Sequence, residues 1–187
     1  MDNLKRIAYN LNVEPLLVAL NERPELWKQN TVRQTFEGTA HHDTETIFAR
    51  GPSEFTVEEY MGNVDAYDYE ATHIFSGTLL PLMGIVLTKL KCKQLGYILI
   101  VNLKAGGYID AHIDEGAYAE HYERYHLVLS SEEGNLFTCG DDSVHMKAGE
   151  LWWFNHREKH AVINNSGKDR VHIIFDVVRN REDSNEL

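Results

Sequence analysis

Between residues 94 and 178 the hydrophobic pattern has a period of two and is cut into short runs by turn residues. Residues 97–103 are apolar at nearly every position, which reads as a strand buried on both faces. Ala105, Gly106 and Gly107 form a turn signal. Further strands are expected over 108–112, 122–130, 136–138, 144–147, 150–155, 160–164 and 170–178. Gly134, the trio Gly140-Asp141-Asp142, the pair Ala148-Gly149 and residues 165–168 punctuate them. About eight short strands with tight turns are the signature of a double-stranded β-helix, or jelly roll.

A chain closed in this way brings distant residues together at its mouth. His112 and Asp114 form a His-x-Asp pair, with His160 and Arg170 downstream on other strands. Alternate residues of an extended strand project from one face, so the first two point the same way. Two imidazole nitrogens and one carboxylate oxygen can occupy one face of an octahedral ion and leave three positions open, a set suited to non-haem Fe(II). His-x-Asp alone reads as a histidine and an acid at a turn; only its combination with His160 and Arg170 carries the metal reading. Arg170 opens the last strand, deep in the expected barrel, where a guanidinium needs an anion. A protein carboxylate is the plain alternative. His172 shares its face and either lines the same pocket or packs in the core.

This arrangement resembles the Fe(II)/2-oxoglutarate dioxygenases, in particular their aspartyl/asparaginyl β-hydroxylase-like branch. The likeness is clearest over residues 95–178 and includes the strings Tyr125-His126-Leu127-Val128-Leu129 and Gly149-Glu150-Leu151-Trp152-Trp153-Phe154-Asn155-His156. It implies Fe(II) held by His112, Asp114 and His160, with 2-oxoglutarate as co-substrate and O2 as oxidant. Arg170 is then the partner of the distal carboxylate of the oxo acid. Arg124 and His126, an Arg-x-His pair, are placed near its chelating end, with the barrel rim as the alternative for Arg124. Some members of the branch lack the metal carboxylate; a chain with Asp114 is similar to those with a full triad, which hydroxylate free amino acids such as proline. The implied reaction is hydroxylation of an aliphatic carbon in an amino acid, a peptide or protein residue, or a small metabolite, with release of succinate and CO2. Two other classes share the barrel. A cupin-like metalloenzyme without an oxo acid has no need of Arg170, and a non-catalytic jelly-roll module has no need of a triad.

Other residues carry weaker signals. His41 and His42 sit in a polar loop and are expected to be solvated. Arg50 ends a segment that resembles one leading into the family's pocket, so it is a substrate contact or a surface ion pair. Trp152 and Trp153 must point to opposite faces of one strand, and one of them is a weak substrate candidate. His121 and His145 read as surface residues. His156 and His160 have the spacing of a helical zinc pair, but the stretch around them reads as strand and turn.

The N-terminal half, residues 1–93, is expected to be a helical and mixed support for a core over 94–180 within a single domain, with a frayed tail over 181–187. Helices are expected over 3–10 and 13–21, brief strands over 32–36 and 45–49, and an acidic, aromatic excursion at the barrel edge or near its mouth over 53–70. Residues 77–92 read as a helix whose apolar face holds Leu79, Leu80, Met83, Val86, Leu87 and Leu90. A length of 187 residues suits one full core. The net charge of −11, without a basic cluster, argues against nucleic acid or an anionic membrane as the main partner. Two isolated cysteines, Cys92 and Cys139, and no apolar leader point to a reducing cytoplasm.

Overall fold

The computed structural model of the chain describes residues 3–180. Its strands are β1 (Leu4–Ala8), β2 (Thr44–Gly51), β3 (Tyr67–Asp68), β4 (Cys92–Leu103), β5 (Tyr108–His112), β6 (Glu123–Ser130), β7 (Asn135–Cys139), β8 (Asp142–Val144), β9 (Leu151–Phe154), β10 (His160–Asn164) and β11 (Arg170–Arg179). The helices are α1 (Glu14–Asn21), α2 (Val32–Thr35), α3 (Val57–Gly62), α4 (Glu70–Ile74), α5 (Ser76–Lys89) and α6 (Ala117–His121).

Two antiparallel sheets face each other. The larger has the order β1-β9-β6-β11-β4-β2-β3, and the smaller β5-β10-β7-β8. Leu103, Val128, Trp152 and Phe154 of the first pack on Ile109, Phe137, Cys139 and Val162 of the second. This is the double-stranded β-helix expected from the strand pattern.

Strand β11 shows why its sequence is apolar throughout. Val171, Ile173, Phe175 and Val177 face outward onto Leu16 and Leu20 of α1 and Leu79, Leu82, Met83 and Val86 of α5. The alternate residues Arg170, His172, Ile174 and Asp176 face the barrel interior, and all are buried. The helical layer is therefore what makes a doubly buried sheet possible. Within α5, Pro81 and Gly84 are poor helix formers, and burial of the apolar face offsets them. Leu82 takes the buried place there, and Leu80 is exposed.

Three local expectations fail. The strand expected over 144–147 is instead β8 at Asp142–Val144, and residues 145–147 lie outside it. Residues 3–10 are not a helix: β1 pairs antiparallel with β9, burying Leu4 and Ala8. Its partner lies at the far end of the chain, so no local pattern announces it. Residues 32–36 are not a strand: Asn30 Oδ1 accepts the N–H of Val32 at 3.0 Å in the turn that leads into the short helix α2. N-terminal strands thus join the larger sheet, with β2 directly beside β4. The tail expected to fray, residues 181–187, lies outside the described residues.

Three short helices shape the mouth. Thr56 Oγ1 accepts the N–H of Glu59 and caps α3 in a Thr-x-x-Glu pattern. Before α6, Gly116 takes φ +95, and a Cβ there would lie 2.7 Å from the carbonyl oxygen of Met61. Only glycine allows α3 to close so tightly on this turn.

Candidate active site

His112 ends β5, His160 begins β10, and the two residues are register partners across that strand pair. Asp114 follows β5, fixed by its N–H, which donates to the carbonyl of His156 at 3.1 Å. Their ligand atoms lie within 4.8 Å of one another. Asp114 is 3.7 Å from His112 Nε2 through Oδ1, and 3.9 Å from His160 Nε2 through Oδ2.

The donor chemistry fits a divalent ion. His112 Nδ1 lies 2.7 Å from the carbonyl of Asp110, and His160 Nδ1 lies 3.0 Å from that of Glu158. Each ring therefore carries its proton on Nδ1 and turns a free Nε2 toward Asp114, the arrangement metal-binding histidines use. Burial, only partly opposed by Asp114, draws His160 down to about 4, so it stays neutral and ready to coordinate. Burial acts to raise the Asp114 carboxyl, but Arg124 first, and then His160, His112 and His156, together outweigh it and hold it below its ordinary value.

Arg124 donates through Nη1 to Asp114 at 2.7 Å, and through Nε and Nη2 to Asp176 at 2.7 and 3.0 Å. Asp176 also accepts from Tyr118 Oη at 3.1 Å. Arg124 is thus within the barrel beside the triad, not at the rim, and its guanidinium is engaged by two protein carboxylates.

Arg170 is 3% exposed. Its one side-chain hydrogen bond among the described residues runs from Nη2 to His172 Nδ1 at 2.9 Å, and no described carboxylate pairs with it. Burial alone pulls its guanidinium down to about 9. Among the described residues, His172 Nε2 and His126 Nδ1 are buried without hydrogen-bond partners. The rings of His172 and His126 lie 5.4 Å apart, His126 and Phe154 4.9 Å, and Phe154 and His160 5.0 Å. A continuous path through the barrel joins Arg170 to the triad. A cation and two unpaired ring nitrogens, shielded from water, match an oxo acid with a distal carboxylate.

A pocket of about 220 Å³ reaches Asp114 and Arg124. Its walls include Arg33, His41, Phe55, Tyr60, Ile113 and Tyr118. Nothing in the sequence pattern marked Arg33, whereas Tyr60 belongs to the aromatic excursion over 53–70 that was expected at the barrel edge or mouth. His41 was expected in solvent, and the structure corrects this: its ring meets that of His112 edge-on at 4.9 Å, and its Nε2 is 3.0 Å from Arg33 Nη2. Burial first, then nearby Arg33, holds His41 well below the ordinary imidazole value.

The weaker candidates fall elsewhere. Arg50 pairs with Asp68 and donates to the carbonyls of Gly96 and Ala66, an ion pair at the sheet edge. Trp152 points into the barrel with Nε1 on Glu150, and Trp153 packs on the helical side. Neither is among the residues that line the pocket. His121 is exposed and His145 meets Ser131. His156 lies in a turn, its Nε2 on the carbonyl of Ala119, and forms no helical zinc pair.

The fold and site define a double-stranded β-helix protein with a two-histidine, one-carboxylate cluster in the barrel. The aspartyl/asparaginyl β-hydroxylase family model matches residues 27–180, and the chain belongs to that family. It is similar to the L-proline cis-4-hydroxylase of Rhizobium meliloti (strain 1021), 31% identical over 95 residues. That match covers 51% of this chain and only 34% of the relative. Among solved structures, a 2OG-Fe(II) oxygenase-family oxidoreductase from Burkholderia pseudomallei superposes with a TM-score of 0.57 at 14% identity, over 87% of this chain and 81% of that one. A Pseudomonas putida prolyl-4-hydroxylase does so with a TM-score of 0.53 at 14% identity, over 95% and 93%. These two likenesses establish the shared fold. No helix of the described residues is long and apolar enough to cross a membrane.

Proposed function

We propose that the protein is an Fe(II)- and 2-oxoglutarate-dependent dioxygenase that hydroxylates an aliphatic carbon of an amino acid, a peptide or protein residue, or a small metabolite. The observation that carries this is a buried Arg170 without a described carboxylate partner, joined through His172 and His126 to the triad. A cupin-like enzyme without an oxo acid leaves that cation unexplained. In the balanced reaction, one atom of O2 enters the C–H bond of the substrate and the other leaves in succinate, with CO2 released. When bound, Fe(II) supplies open coordination positions for the oxo acid and O2, and the redox chemistry between them.

The residues divide the work. His112 and His160 offer neutral Nε2 donors whose orientation is set by the carbonyls of Asp110 and Glu158. Asp114 is kept ionised and aimed by Arg124. Arg170 receives the distal carboxylate of the oxo acid as a charge-assisted pair. His126 and His172, both held neutral chiefly by burial, present ring nitrogens to the same ligand. Tyr118, Phe55 and Tyr60 wall the pocket and limit water. Free thiols at Cys92 and Cys139 accord with a reducing, cytoplasmic setting.

Anaerobic titration of Fe(II) with and without 2-oxoglutarate tests the reading. The metal-to-ligand charge-transfer band should appear only when both are present, and O2 should then yield succinate. Turnover of O2 without an oxo acid would point to the cupin-like enzyme instead.

A further inference from the structure

Arg33 is a second cation in the site without a carboxylate. It stands on α2, which is tied to β2 by a hydrogen bond from Gln34 Nε2 to the carbonyl of Thr44. The Thr39 hydroxyl donates to the carbonyl of Arg33 itself at 2.6 Å. Its guanidinium reaches Thr46 Oγ1 at 3.3 Å and His41 Nε2 at 3.0 Å, both neutral partners. Among the described residues no carboxylate forms an ion pair with it. A guanidinium has five N–H donors in a planar fork that suits a carboxylate, and here most remain unspent.

The surroundings say what an anion there would be attached to. Arg33 shares the pocket with Phe55, Tyr60 and Ile113, and the same pocket ends at Asp114 and Arg124. Arg124 is already committed to Asp114 and Asp176. Glu115, the other acid on the wall, is exposed. A ligand anchored at Arg33 therefore lays its hydrocarbon between aromatic and aliphatic walls and points it toward the triad. Arg170 lies at the far side of the barrel interior, behind His126 and His172, and serves a different anion.

We infer that Arg33 is the carboxylate anchor of the substrate, and that the molecule oxidised is a small carboxylic acid with an apolar body, such as a free amino acid. The inference rests on the dioxygenase reading for the reaction but not for the binding. Helix α2 then acts as a specificity element outside the barrel strands. Substrates whose carboxyl is blocked as an amide lose the anchor while keeping every apolar contact.

The test uses wild type, Arg33→Gln and Arg33→Lys, each loaded anaerobically with Fe(II) and 2-oxoglutarate. Free L-amino acids, L-proline included, are titrated against their primary amides and followed by tryptophan fluorescence and by the charge-transfer band. At least one acid should bind wild type about tenfold or more tightly than its amide, and Arg33→Gln should remove that preference. Arg33→Lys should keep part of it, and 2-oxoglutarate affinity should be unchanged in both variants. Melting curves establish that the variants are folded. The inference is overturned if no acid is preferred to its amide, if Arg33→Gln binds the acid as wild type does, or if it loses 2-oxoglutarate equally. If the band never forms in wild type but an Arg33-dependent preference for the acid persists in fluorescence, the dioxygenase reading fails and the carboxylate site stands.

Discussion

Arg124 joins two carboxylates: Nη1 holds Asp114 at 2.7 Å while Nε and Nη2 clamp Asp176, which is 1% exposed. The side chain that fixes the metal-facing acid is itself fixed from the opposite side by a residue of β11. Any account of the site has to treat these three as one charged unit, because removing one leaves the others desolvated and unbalanced.

Arg124→Ala should therefore act on stability before it acts on the oxo acid. Breaking a buried pair from one side costs about 3–5 kcal/mol, which lowers the melting temperature by roughly 10 °C in a chain of this size. Differential scanning calorimetry measures it. A variant that melts like wild type, yet raises the KM for 2-oxoglutarate, would argue that Arg124 serves the co-substrate and not the carboxylates.

Asp114→Ala removes the one anionic donor of the proposed triad and should nearly abolish oxidation. Binding of Mn(II), read by electron paramagnetic resonance of the free ion, should weaken by at least about tenfold, as outer-sphere losses alone cost that much. Unchanged activity in this variant sinks the ligand assignment.

Arg170→Ala should raise the apparent KM for 2-oxoglutarate at least about tenfold, since a hydrogen bond to a charged group contributes roughly 1.5–3 kcal/mol. Fe(II) binding should change little. Steady-state succinate release at varied 2-oxoglutarate decides the matter, and an unaltered dependence removes Arg170 from the co-substrate site.

The buried histidines set a pH dependence. Burial, followed by the nearby Arg170, holds His126 and His172 well below the ordinary imidazole value. A pKa lower in the folded than in the unfolded chain means that the unfolded chain binds more protons once the pH drops below about 6.5. Stability of the metal-free protein should thus be full above that value and fall by several degrees in melting temperature toward about pH 5. Ionised Asp114 contributes in a separate and lower window, near and below about pH 4. His172→Gln should flatten the upper dependence; a profile no flatter than wild type's argues against the assignment.

The barrel and the triad were legible in the sequence because their signals are local or chemically rare. Period-two runs with glycine turns specify short strands wherever they lie, and His112, Asp114, His160 and Arg170 form a combination of residue types that core packing does not require. The burial of Arg170 was likewise legible, since a cation in a doubly apolar strand has nowhere else to go. What the sequence by itself could not decide depends on partners far along the chain. Within residues 3–10, Leu4–Ala8 became β1 because β9 offers them an edge to pair with, and that partner lies far along the chain. Tertiary structure also decided that Arg124 faces Asp176 and Asp114, that Arg50 is consumed by Asp68, and that the loop around His41 folds inward. The last of these carries Arg33 into the pocket on a helix of four residues. No periodicity marks so short an element. Its position comes from hydrogen bonds to Thr44 and Thr46 on β2, and such contacts exist only once the strands are in place.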